Sequence, residues 1–216
     1  MKTTISKFIT TLGVLALLLV VYKVTSSSTP TQSTVVNISM SWDSQPSAEE
    51  LVTNPLLNTI VTGEIVTSHP GKSQKNSNLP GGQVVFTDWE VKVTEYLAHP
   101  LPYKHLAVRV PGGTLNGLTY DFEDVAEFHD GETVILFLGK DTSFFTLTEN
   151  EFTVMYGDIG AYHISLSGEA LNHKEKYDVQ DLLKLVREKV KNISPATPTP
   201  FPLGAPPPST ATPALP

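Results

Sequence analysis

The chain has 216 residues, 40% of them hydrophobic, with a formal net charge of −7 and no cysteine. That length fits one ordinary domain with extensions. The negative balance argues against nucleic acid and polybasic membrane docking as partners, and the missing cysteine excludes disulfides, a thiol nucleophile, cysteine-ligated zinc and a lipidated cysteine anchor.

Lys2 and Lys7 precede an apolar run over residues 8–22, the pattern of an export signal. Two readings compete. In one the signal is cleaved near residues 24–28 and the protein is secreted. In the other residues 1–24 stay as a single-pass transmembrane anchor, with lysines snorkelling at both ends. No Ala-x-Ala site follows, so the anchor is the reading adopted. The lysines at the start then put the N-terminus in the cytoplasm and the rest outside the cell membrane. Residues 25–48 are rich in Ser and Thr and read as a linker. Within them, residues 35–42 have some strand character, either as an edge strand or as linker.

Residues 49–194 read as the folded domain. Ser47 is placed to cap a short helical turn with Glu49 and Glu50 in it. A strand is expected over 59–68, then a long polar loop over 69–82. The next strand, 84–97, is expected to turn Val85, Thr87, Trp89, Val91 and Val93 to the core. Its wet face would carry Asp88, Glu90, Lys92 and Thr94.

Residues 105–110 alternate again. Leu106, Val108 and Val110 face one way, and His105, Ala107 and Arg109 the other. Pro111-Gly112-Gly113 ends that strand. Residues 132–138 are apolar on both faces, which predicts a central strand covered on both sides. A hairpin over 143–148 and 151–156 and a strand over 161–166 follow. Asp178 is a good N-cap for a helix over 178–191, with Val179, Leu182, Leu183, Val186 and Val190 in one apolar stripe. Residues 195–216 are a proline-rich tail without periodicity, which reads as extended and disordered.

Three segments together resemble an uncharacterised family of secreted bacterial domains. They are VRVPGGTLNG (108–117), FHDGETVILFLG (128–139) and YGDIGAYHI (156–164). The resemblance spans roughly residues 54–165. It implies a small OB-like barrel, distantly similar to netrin-like modules, and it implies almost nothing about activity. The family's Lys-Gly turn after the second strand is replaced here by Ala98-His99-Pro100-Leu101-Pro102. Netrin-like protease inhibitors act through an N-terminal cysteine, which this chain lacks.

Chemistry is sparse. The six histidines form no His-Glu-x-x-His or His-x-His pair. His99 and His105 flank a proline-rich turn where exposed loop histidines are the default. The densest charge cluster is the connection holding Asp121, Glu123, Asp124, Glu127, Asp130 and Glu132. Asp121, Glu123, Asp124 and Glu127 are the calcium candidates, although their spacing is not that of an EF-hand loop, and a solvated acidic loop is the plainer reading. No phosphate loop or Gly-x-Ser-x-Gly elbow occurs. Trp89 reads as structural. Trp42 reads as a staple onto the barrel or as a partner contact.

The expected fold is all-β, a small OB-like barrel with one C-terminal helix. The expected function is non-enzymatic: binding a protein or small ligand at the cell surface. The rival is an extracytoplasmic hydrolase or metal-binding enzyme using loop carboxylates and His129. It predicts a concave pocket holding a carboxylate or histidine of shifted pKa.

Overall fold

The structure, a computed structural model, describes residues 34–39, 44–77, 79 and 82–193. The expected anchor, the proline-rich tail and Trp42 lie outside the described residues. Among the described residues no helix is long and apolar enough to cross a membrane.

Eleven strands and two helices follow one another in the described chain. They are β1 (Thr34–Ile38), α1 (Ala48–Val52), β2 (Leu57–Lys75), β3 (Gln83–Ala98), β4 (His105–Pro111), β5 (Gly113–Leu115) and β6 (Leu118–Phe122). Then come β7 (Thr133–Gly139), β8 (Glu151–Val154), β9 (Ala161–Ile164), β10 (Glu169–Leu171), β11 (Lys176–Asp178) and α2 (Val179–Asn192).

Five strands close into a barrel in the order β7-β2-β3-β4-β8, with β8 returning to β7 through Leu138–Val154 and Gly139–Thr153. The β4–β8 pair is parallel and the other four are antiparallel. Closure removes the free edges that an open sheet would expose. The arrangement is compatible with an OB-like barrel.

β7 shows why it was legible as a central strand. Val134, Leu136 and Leu138 point into the barrel with Val61, Ile65, Val91, Leu106, Val108 and Phe152. Ile135 and Phe137 point outward, under α1 and α2, beside Leu51, Tyr162, Leu182 and Val186. Both sets are fully buried, so the strand has no wet face.

The helices form where the caps predicted. Ser47 and Glu50 make a reciprocal capping box on α1. Asp178 accepts from the backbone N–H of Gln180 and Asp181 at the start of α2. Glu175 ties these elements together. Its Oε2 accepts from Tyr162 Oη at 2.9 Å, Tyr177 Oη at 3.2 Å and Ala48 N at 3.2 Å.

Several expectations need correction. The first half of the expected loop over 69–82 is strand, because β2 runs on to Lys75 and pairs with β3 as an arm beyond the barrel. Irregular pairing between His69 and Lys72 carries the strand past Pro70, which cannot donate to a ladder. Residues 143–148 form no strand; only Glu151–Val154 of the expected hairpin does.

Asp121 lies in β6 rather than in a connection, and β1 pairs with β6 in parallel. Thus part of the expected linker is an edge strand of a small sheet, β1-β6-β5. Asp88 and Arg109, both expected on wet faces, are buried.

Candidate functional site

β4 leaves the barrel at Pro111, and the chain turns sharply to start β5. Gly112 and Gly113 take φ of 107° and 121°, a backbone that side chains rarely allow. A Cβ on Gly113 would lie 2.6 Å from Thr87 Oγ1, so the chain also needs glycine to pass this close to β3. The turn brings β6 alongside the barrel wall and leaves a concave face between them.

That face has two adjoining halves. The first, about 290 Å³, is lined by Thr87 and Trp89 of β3, Pro111-Gly112-Gly113, Tyr120, Phe122 and Phe128. Trp89 meets Phe128 edge-on, with centroids 5.8 Å apart at 76°. The second half, about 450 Å³, holds Glu123, Asp124, Asp158, His163 and His173. Asp121, Phe122, Val125 and Glu127 line both halves.

The four calcium candidates are all exposed and all border this face. Glu123 is held by Ser39, whose hydroxyl donates to its Oε2 at 2.7 Å. Asp124 adopts φ 56°, and its carbonyl accepts from Asp158 N at 3.2 Å. Glu127 stands between the buried Ala126 and Phe128. Among the described residues no group of three or more Asp, Glu or His is arranged to hold a metal ion.

Asp158 was not singled out in the sequence. Its carboxyl is held above the ordinary range by burial first and then by the charge of Asp124, against the opposing pull of His173 and His163. His173 Nδ1 is 3.4 Å from Asp158 Oδ2. His163 Nδ1 is 2.6 Å from Glu132 Oε1. His129 stands on the rim, 82% exposed, with its ring 4.0 Å from Glu132. His105 pairs with Glu90 at 2.6 Å, and His99 sits in the turn between β3 and β4 at φ 45°.

A second polar cluster lies inside the fold. Arg109 bonds Asp88, Glu151 and the Thr146 carbonyl, and its guanidinium carbon lies 4.0 Å from the centre of the Phe86 ring. Lys72 caps the same Asp88 from the arm at 2.9 Å. Every charge in the cluster has an opposite neighbour, and Arg109 also borders a small cavity of about 30 Å³ that it shares with Val110, Phe144, Phe145 and Val154. It holds β3, β4, β8 and the arm together. Nothing in the alternation of β3 or β4 marks these two residues as buried. The one available signal was their opposition: Asp88 faces Arg109 in the β3–β4 register.

A further depression of about 320 Å³, bordered by Leu56, Lys140, Asp141, Met155 and Tyr156, lies beside the β7–β8 closure. Its lysine is already committed. Lys140 Nζ donates to the Thr148 and Glu149 carbonyls at 2.5 and 3.0 Å and sits 4.7 Å from the Phe152 ring centre. The concave face by β6 therefore remains the better-equipped site. No protein-family model matches the chain, and no curated protein does.

Proposed function

We propose that the protein is an extracytoplasmic, membrane-tethered interaction module that binds its partner on the concave face between β3, β4 and β6, without catalysis. One observation carries this reading: a depression with an aromatic wall and one with a rim of carboxylates adjoin, sharing Asp121, Phe122, Val125 and Glu127. OB-like barrels use one sheet face and its neighbouring loops for ligands, which supports the placement by analogy of fold. The resemblance of residues 54–165 to secreted bacterial domains supports the extracytoplasmic setting.

A hydrolase is the second reading, and Asp158 is the observation that favours it. A carboxyl raised by burial, in a depression and next to a histidine, is what a general acid needs. Against this, no Ser, Thr or Lys among the described residues lines the depression that holds the pair. Ser165, Ser167 and Ser39 bond one another or carboxylates on the surface.

Thermal melting of the full chain against a panel of basic, acidic and neutral peptides and neutral oligosaccharides tests both. A ligand that binds only the folded state raises the melting temperature. The module reading expects a rise with one class, lost in Tyr120→Leu. Hydrolysis of any panel member that Asp158→Asn abolishes would replace it with the enzyme reading.

A further inference from the structure

We infer that the partner on this face is cationic: an extended protein segment carrying two or more Lys or Arg side chains. The inference rests on the module reading and adds the chemistry of its partner.

The charge of the face is one-sided. Asp121, Glu123, Asp124, Glu127 and Asp158 line it, and neither Lys nor Arg does. His173 is engaged with Asp158, and His163 with Glu132. The carboxylates of Asp121, Asp124 and Glu127 make no hydrogen bond or ion pair with any described residue. Elsewhere in the described fold, the carboxylates of Asp88, Glu49, Glu90, Glu95, Glu132, Glu151 and Glu169 each meet a cation or a histidine. Glu64, Asp130, Asp181 and Glu188 are also without a counter-charge, but on the exposed surface; on the concave face three such carboxylates stand beside an aromatic wall.

That wall points to the same chemistry. Cations are drawn to ring faces, and most strongly to tryptophan. Inside the fold this interaction is already used at Phe86, Phe145 and Phe152, by Arg109 and Lys140. Trp89 and Tyr120 are half-buried at the site, and no cation of the described residues lies over either ring. The Trp89 indole N–H and the Tyr120 hydroxyl have no hydrogen-bond partner among those residues.

Size argues for a segment rather than a single ion. Adjoining halves of about 290 and 450 Å³ exceed one side chain. The unpaired carboxylates are spread over both halves, so two positive groups a few residues apart match them better than one. A nucleic acid or an acidic peptide would meet five carboxylates without a counter-charge.

The test uses the full chain and fluorescein-labelled hexapeptides of alternating Gly-Arg, Gly-Glu and Gly-Ser, read by anisotropy. The Gly-Arg peptide should bind, and more weakly as salt rises. Asp121→Asn with Glu127→Gln should weaken it about tenfold, from the loss of two facing charges. Glu64→Gln with Glu188→Gln removes the same charge from exposed positions elsewhere and should leave it unchanged. Tyr120→Leu, at constant charge, should weaken it about threefold. Equal loss in the two double variants would overturn the inference, because net charge alone would then explain binding. Binding of only the Gly-Ser or Gly-Glu peptide, lost in Tyr120→Leu, would overturn the cationic partner and leave the module reading standing. If no member of this set or of the melting panel bound in a Tyr120-dependent way, both would fall.

Discussion

Arg109 grips Asp88 along both edges of the carboxylate: Nε donates to Oδ1 at 2.7 Å and Nη2 to Oδ2 at 3.1 Å. Both side chains are almost wholly buried. Removing Asp88 leaves the buried guanidinium with Glu151 alone, and breaking a buried pair in this way costs about 3–5 kcal/mol. Asp88→Asn should therefore lower stability by that order in urea unfolding. The double variant Asp88→Leu, Arg109→Met should be less destabilised than the sum of its parts, since it removes both buried charges together and leaves only the more exposed Lys72 and Glu151 without them. Additive losses would show that the pair is not coupled.

Gly160 ends the Y-G-D-I-G segment and fits where a side chain does not. A Cβ there would lie 2.5 Å from the Met155 carbonyl oxygen and 3.1 Å from its nitrogen, both backbone. The Gly160 carbonyl in turn accepts from Phe137 N at 2.8 Å, which locks the segment to β7. Gly160→Ala should cost about 1–3 kcal/mol, the range for forcing extra volume into a filled interior. Gly131→Ala is a useful contrast. No atom lies near its Cβ, and any loss there comes only from its φ of 80°.

α2 gives a graded pair of predictions. Its N-cap is exposed, so Asp178→Ala should cost about 1 kcal/mol. Leu182 is fully buried under the helix against the outer face of the barrel. Leu182→Ala should cost about 2–5 kcal/mol, lost transfer energy plus the cavity left behind. Chemical denaturation of the two variants should rank them in that order. The reverse order would mean that α2 is held mainly by its own cap and not by the barrel.

The elements legible in the sequence were those with a local cause. β7 betrayed itself by being apolar on both faces, β4 by its alternation, and α2 by Asp178 and its stripe. The arm was not legible, because Ser68–Lys75 is polar and interrupted by Pro70-Gly71, and its pairing partner is another segment, Gln83–Trp89. β5 and β6 were missed because three- and five-residue strands leave too few residues to set a period.

The site was half legible. The four carboxylates could be found by density alone, since Asp121 to Glu127 are close in the chain. Their aromatic neighbour Trp89 lies on a distant strand, and alternation placed it in the core. Asp158 and His173 join the same depression from beyond β8, brought there by the fold. Asp88 and Arg109 followed the polar phase of their strands and were read as wet. Only their mutual pairing and the arm above them make burial tolerable.

Asp88 and Asp158 should pull the pH dependence of folding in opposite directions. Burial alone would raise Asp88, but hydrogen bonds from Arg109 and Lys72, with the charges of both, outweigh it and set its pKa below the ordinary 3.8. Its contribution to stability is thus present above 3.8 and is lost as pH falls through the lower folded value. Asp158 is raised above 3.8 by burial and by Asp124. Its contribution is present below 3.8 and is lost as pH rises through the raised folded value. Urea midpoints between pH 2 and pH 7 separate the two. The wild type should lose stability below pH 4 more steeply than the Asp88→Leu, Arg109→Met variant. Asp158→Asn should do better relative to wild type at pH 7 than at pH 3, because asparagine resembles the neutral acid that the site favours. If its difference from wild type were the same at both pH values, the fold would not be resisting ionisation of Asp158, and the case for it as a general acid would go with that.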